Sequence, residues 1–246
     1  MHLSTLFCAL YLITVASFAS ADDHIKFGDS NVWMAQQITF NEPSSQQRFL
    51  QGLDKFMESK LGDKHPGTVS VNWLLANGEN PATHGFLMSF PSLGARQEWS
   101  TEFFNGGSKA AEAWMQTWNA EVASVEATYM MTTIGAWGAT SSSNPYTETV
   151  PFYTEDMLAF VSRFQSWMET PTAAKFKGRV AIHSCIACGE SGTNGLMTVT
   201  HNSGAEMDQW RNAFAGSEDD AAWLSSAVEL ADFPGNSLVY RLVSYE

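Results

Sequence analysis

The chain has 246 residues, with 26 Asp and Glu against 13 Lys and Arg, for a formal charge of −13. So acidic a chain repels nucleic acid and anionic membrane surfaces, which removes both from the expected partners. The 9 Trp and 16 Phe carry large buried areas, so most of the chain is expected to fold around filled cores rather than stay disordered.

Taken in chain order, Leu6 to Phe18 form an apolar run followed by Ala19-Ser20-Ala21 and Asp22-Asp23. This is the pattern of a signal peptide over residues 1–21, too short to span a bilayer. Cleavage after Ala21 predicts a secreted or periplasmic protein of 225 residues and removes Cys8. No later stretch is apolar for long enough to cross a membrane, so the mature chain is not expected to insert in one.

Val32 to Phe40 reads as a strand, and Phe49, Leu53, Phe56, Met57 and Leu61 recur at helical spacing. Thr68 to Ala76 alternates Val69, Val71, Trp73 and Leu75 with Ser70, Asn72 and Leu74, the pattern of a strand with two unlike faces. Asn77-Gly78 makes a turn into a returning strand, Gly85 to Phe90. Helices are expected over Gly94 to Phe104 and Ser108 to Val125, then a strand from Thr128 to Trp137. Residues 139–145 are a Ser-rich connector. The order then recurs: strand Glu148 to Tyr153, a helix carrying Met157, Phe160, Val161, Phe164 and Trp167, hairpin strands Arg179 to Ile186 and Gly195 to Thr200, helices Ala205 to Phe214 and Asp219 to Leu230, and a last strand, Ser237 to Tyr245.

The recurrence is visible in the letters as well. Thr83-His84-Gly85-Phe86-Leu87-Met88-Ser89-Phe90 is echoed 110 positions later by Thr193-Asn194-Gly195-Leu196-Met197-Thr198-Val199-Thr200, with Glu98-Trp99 and Gln209-Trp210 following. Self-similarity at a fixed period predicts a duplicated unit, here residues 22–138 and 146–246. Each unit reads β-α-β-β-α-β with its second helix broken in two, the ferredoxin-like order. Such a sheet carries helices on one face only, and two in one chain can cover each other sheet to sheet. This order resembles the dimeric α+β barrel superfamily in a fused tandem form, as in stress-responsive barrel proteins, antibiotic-biosynthesis-type monooxygenases and two-repeat haem proteins. The resemblance implies an α+β fold and a ligand space between the sheets.

Matching the hairpins pairs Val69 with Val180, Val71 with Ile182 and Leu75 with Ile186, 111 positions apart. A deletion in the turn would bring the following strands to 110. With these apolar positions packed on helices, Ser70 and Asn72 in one half and Ala181, His183 and Cys185 in the other face inward. Asn72, His183 and Ser70 are therefore the candidate ligand-binding residues, and Asn72 with His183 the candidate catalytic pair. Asn72 and His183 could polarise or deprotonate a phenolic substrate, or His183 could serve as an interior hydrogen-bonded residue or an axial haem ligand. Cys185 and Cys188, the only cysteines left after cleavage, point to a local disulfide in an oxidising compartment. A zinc site on His183, Cys185, Cys188 and His201 is the competing reading, and a redox-active CxxC a further one. His24, His65 and His84 read as solvent-facing, Trp73 as helix-packed, and Trp99, Trp114, Trp210 and Trp223 as structural.

No phosphate loop, HExxH, EF-hand or nucleophile-elbow pattern occurs, and no cofactor is expected. The expectation is an exported monomer or homodimer that binds a small apolar or aromatic ligand, or a protein partner, with a cofactor-independent monooxygenase or cyclase as the alternative.

Overall fold

The computed structural model describes residues 32–142, 145–188 and 192–245, so the signal-peptide reading, Cys8 and His24 lie outside the described residues. Eight strands are formed: β1 (Val32–Phe40), β2 (Val69–Ala76), β3 (His84–Phe90), β4 (Val122–Gly138), β5 (Tyr146–Phe152), β6 (Arg179–Ala187), β7 (Gly195–His201) and β8 (Ser237–Tyr245). Between them lie α1 (Ser45–Met57), α2 (Leu93–Asn105), α3 (Lys109–Glu121), α4 (Met157–Met168), α5 (Gly204–Phe214) and α6 (Glu218–Leu230). Ser92, Ser108, Asp156, Ser203 and Ser217 each cap a helix by accepting the backbone N–H three residues on, in its first turn, which fixes where those helices begin.

The strands close into an antiparallel barrel in the order β1-β3-β2-β8-β5-β7-β6-β4, with β4 returning to β1. Each half contributes four neighbouring strands in the order fourth, first, third, second. The halves are joined by β2 on β8 and by β4 on β6, so no open sheet edge remains in the barrel. β4 is longer than its sequence suggested: the helix expected to reach Val125 stops at Glu121, and a 17-residue strand starts at Val122. The β-branched Val122 and Val125 pair there with Phe40 and Ile38, so tertiary pairing takes residues that helical spacing alone would have kept.

Two apolar cores lie outside the barrel wall. Phe49, Leu53 and Phe56 of α1 pack with Trp114 of α3 on Val69, Val71 and Phe86. In the second half Phe160 and Phe164 of α4 pack with Trp223 and Ala227 of α6 on Phe152, Val180 and Ile182. Each fully buried Phe of these layers contributes about 2–3 kcal/mol of apolar transfer.

The register corrects part of the repeat reading. Val71 pairs with Phe86 and Ile182 with Met197, while Asn72 pairs with Gly85 and His183 with Leu196. The separation of 111 therefore holds through β3 and β7, and the expected shift to 110 does not occur. A slip of one residue would exchange the two faces of the strand, placing Leu87 against Met197 although Leu87 faces the cavity and Met197 packs on a helix. His65 and His84, read as solvent-facing, are buried, against Phe90 and Trp99 and against Phe40 respectively. Trp73, expected beneath a helix, is 49% exposed, since burial along β2 ends at Asn72.

Candidate functional site: the barrel interior

Alternation along every strand sends one set of side chains outward to the helices and the other inward. The inward set encloses a cavity of about 480 Å3 lined by Trp33, Ser70, Asn72, Leu87, Tyr129, Met131, Thr147, Thr149, His183, Leu196, Thr198 and Val239, among others. The three residues singled out from the sequence, Ser70, Asn72 and His183, all line it. They differ in how they are satisfied.

His183 is 7% exposed and engaged at both ring nitrogens, with Nδ1 3.0 Å from Thr133 Oγ1 and Nε2 3.2 Å from Thr198 Oγ1. Trp33 Nε1 donates to Thr133 Oγ1 at 3.1 Å. One assignment satisfies every group: Thr133 donates to Nδ1, the Nε2–H donates to Thr198, and Thr198 reaches the Ala181 carbonyl at 3.5 Å. Burial, reinforced by the charge of Arg179, pushes the imidazole down to about 3, so His183 is neutral at physiological pH. To act as a base it would first have to release Thr133.

Asn72 (9% exposed) and Ser70 (3%) are in the opposite condition. Their side chains make no hydrogen bond among the described residues, although both face the cavity. The Tyr129 hydroxyl is likewise without a hydrogen bond there, and burial holds its phenol above the usual range, in the protonated form. Tyr129 and Thr133 were missed in the sequence, although alternation of Tyr129, Met131 and Thr133 against Met130 and Thr132 was there to be read.

Cys185 and Cys188 form a disulfide, with Cα atoms 5.8 Å apart, and both line the cavity at the end where the hairpin turns lie. Closing so short a loop contributes about 2 kcal/mol in the chain-entropy account. Replacing both with Ser is expected to lower the urea-unfolding free energy by that amount and leave the fold intact. The zinc reading is contradicted by placement: His201 sits on the outer face of β7, against Phe176, with Nε2 3.4 Å from Glu148 Oε1. Together with Arg211, 3.0 Å from the other carboxylate oxygen, His201 holds Glu148 below the usual carboxylate range. An imidazole-ligated haem does not fit either, because His183, the one histidine facing the cavity among the described residues, has both ring nitrogens engaged by threonines.

A closed antiparallel barrel with helices on its outside and a ligand-sized interior is the fold of the dimeric α+β barrels. Solved structures with this fold superimpose on nearly the whole described chain. A proposed monooxygenase from Lactobacillus acidophilus NCFM matches with a TM-score of 0.57 and 9% identity, covering 87% of this chain and 93% of its own. An anthrone oxidase-like protein matches at 0.56 and 9%, covering 88% and 93%. A mutant chlorite dismutase from Candidatus Nitrospira defluvii matches at 0.52 and 10%, covering 87% and 92%. No family model and no curated protein matches the sequence.

Proposed function

We propose that this protein binds one small, largely aromatic ligand inside the barrel. The observation that carries this reading is the pair Asn72 and Ser70: polar residues facing a cavity, without a hydrogen bond among the described residues, while His183, the counterpart of Asn72, is bonded at both ring nitrogens. The polar atoms of Asn72 and Ser70 are open to the cavity, where a ligand bearing hydroxyl or carbonyl oxygens can hydrogen-bond to them. Trp33, Leu87 and Met131 would contact its rings. In this reading Asn72, Ser70 and Tyr129 are the recognition groups, and His183 is a positioning residue that holds Thr133, Thr198 and Trp33 in the wall.

The halves act as two ferredoxin-like repeats, a reading supported by the constant separation of 111 and by matched exposures at Leu75 and Ile186. The protein is exported, which accords with the apolar leader and with the Cys185–Cys188 disulfide. Native mass spectrometry of gently purified protein is expected to show a bound small molecule. Leu87→Trp, which fills the space, is expected to remove it, and a wild-type mass without ligand before and after incubation with aromatic alcohols would reject the proposal.

A second reading is favoured by the company the fold keeps, since monooxygenase-type and anthrone oxidase-like barrels share it. The bound molecule would then be a substrate oxidised by dioxygen, with Asn72 and Tyr129 stabilising its oxyanion. Oxygen uptake with an anthrone, lost in Asn72→Leu, separates this from simple binding.

A further inference from the structure

The two halves of the barrel wall present different surfaces to the cavity. Asn72 and His183 occupy matched positions, 111 residues apart, and so do their strand partners, Gly85 and Leu196. Where the wall beside His183 carries a leucine, the wall beside Asn72 has no side chain at all. One step along, Ala35 pairs with Leu87, and the same place in the second half pairs Thr149 with Thr198. A lobe of the cavity therefore opens over Gly85 and Ala35 in the first half, and larger residues fill its counterpart. The polar groups divide in the same way. On the second half's wall they are already bonded, His183 to Thr133 and Thr198, Thr147 to Thr200, and Thr149 to Ser237. Around the lobe they are not: Ser70, Leu87, Ala35 and Tyr129 follow one another in a single row of strand pairs across β2, β3, β1 and β4, with Asn72 two residues beyond Ser70. Free space and unbonded polar groups thus coincide in one place.

We propose that the ligand carries a hydroxyl or carbonyl oxygen on one edge, that this edge sits in the lobe over Gly85 and Ala35, and that Gly85 is the residue deciding this specificity. This rests on the barrel interior being the ligand site. The protonated phenol of Tyr129 donates to such an oxygen, the Asn72 amide both donates and accepts, and the apolar body of the molecule lies against Leu196 and Val239 of the other half. A wall of this kind discriminates strongly against an analogue with a methyl in place of the hydroxyl, because the methyl displaces water from the polar groups and gives them no partner. Gly85 keeps the lobe open. A Cβ there would meet only the end of the Leu87 side chain, at 3.3 Å, so the rest of the space belongs to the cavity and a larger side chain would occupy it.

The test uses 2-naphthol and 2-methylnaphthalene, which differ by a hydroxyl in place of a methyl, titrated into the full protein against bound N-phenyl-1-naphthylamine and followed also by quenching of tryptophan fluorescence. Wild type is expected to bind the naphthol about tenfold more tightly or better. Asn72→Leu is expected to erase the preference by removing its partner, Gly85→Leu by giving the first half the residue of the second, and Gly85→Ala to reduce it. Retained binding of the fluorescent probe shows that a variant is folded, and should Gly85→Leu lose it, Gly85→Ala decides. Equal affinities in wild type, or a preference that survives in Asn72→Leu, overturn the oxygen edge and leave the cavity reading standing. A preference lost in Asn72→Leu but unchanged in both Gly85 variants overturns the role of Gly85. Failure of the probe and both naphthalenes to bind wild type overturns the cavity reading and this inference with it.

Discussion

Lowering the pH from 6.5 to 4.5 is expected to remove about 4–5 kcal/mol of folding stability, a large share of the roughly 5–15 kcal/mol of an ordinary domain. The cause is two histidines held neutral inside the fold. Burial brings His183 down to about 3, with Arg179 adding to the effect, and burial brings His84 down to about 4. In the unfolded chain both return to about 6.5 and take up protons first. Between those values the unfolded state binds more protons than the native one, so stability is full above about pH 6.5 and falls as pH drops, by up to about 1.4 kcal/mol per unit for each histidine. His65, lowered by burial against Phe90 and Trp99, adds to the same slope. Glu148, held below the usual carboxylate range, loses its contribution only at lower pH still, as it protonates. Urea-unfolding midpoints at pH 7.5, 5.5 and 4.5 measure this. His183→Gln and His84→Gln should each flatten the slope by their own share, whatever they do to stability at pH 7.5. A stability that is level from pH 7.5 to 5 would contradict the burial of these rings.

Gly67→Ala and Gly178→Ala are expected to destabilise the protein by about 2–3 kcal/mol each, at the upper end of overpacking costs. These glycines precede β2 and β6 and are 111 positions apart. A Cβ at Gly67 would enter the Ser89 backbone carbonyl, and one at Gly178 would enter that of Thr200, the residue matched to Ser89. A carbonyl in a strand cannot move aside as a flexible side chain could, so the strand pair itself must part. At Gly78, where a Cβ meets nothing, Ala is strained only by the left-handed backbone, at a φ of 58°. Thermal unfolding of the three variants separates the mechanisms: large, equal losses at Gly67 and Gly178 and a smaller one at Gly78. Losses confined to one half would contradict the equivalence of the two sites.

The interior was legible where alternation was clean. Val69, Val71, Val180 and Ile182 read correctly as helix-packed, and that reading alone turned Ser70, Asn72 and His183 inward. It failed where a local resemblance of letters competed with the period of two. The Thr83 and Thr193 stretches match best at 110, yet pairing with β2 and β6 holds them at 111, since hydrogen-bond register decides which face is buried and lettering does not. His65 and His84 were misread because their neighbours in sequence, Lys64 and Pro66 and Thr83 and Gly85, read as turn and polar chain, while the rings that bury them, Phe90 and Trp99 and Phe40, come from distant strands and a helix. Tyr129 went unnoticed although β4 alternates there, because only the hairpin strands were read for an inner face.

Whether the barrel interior is a binding site is decided by titrating the uncharged probe N-phenyl-1-naphthylamine into wild type and Leu87→Trp. Wild type is predicted to bind one probe saturably, and Leu87→Trp, equally folded by circular dichroism, to bind none. Binding that survives filling the barrel, or is absent from wild type, would contradict the claim.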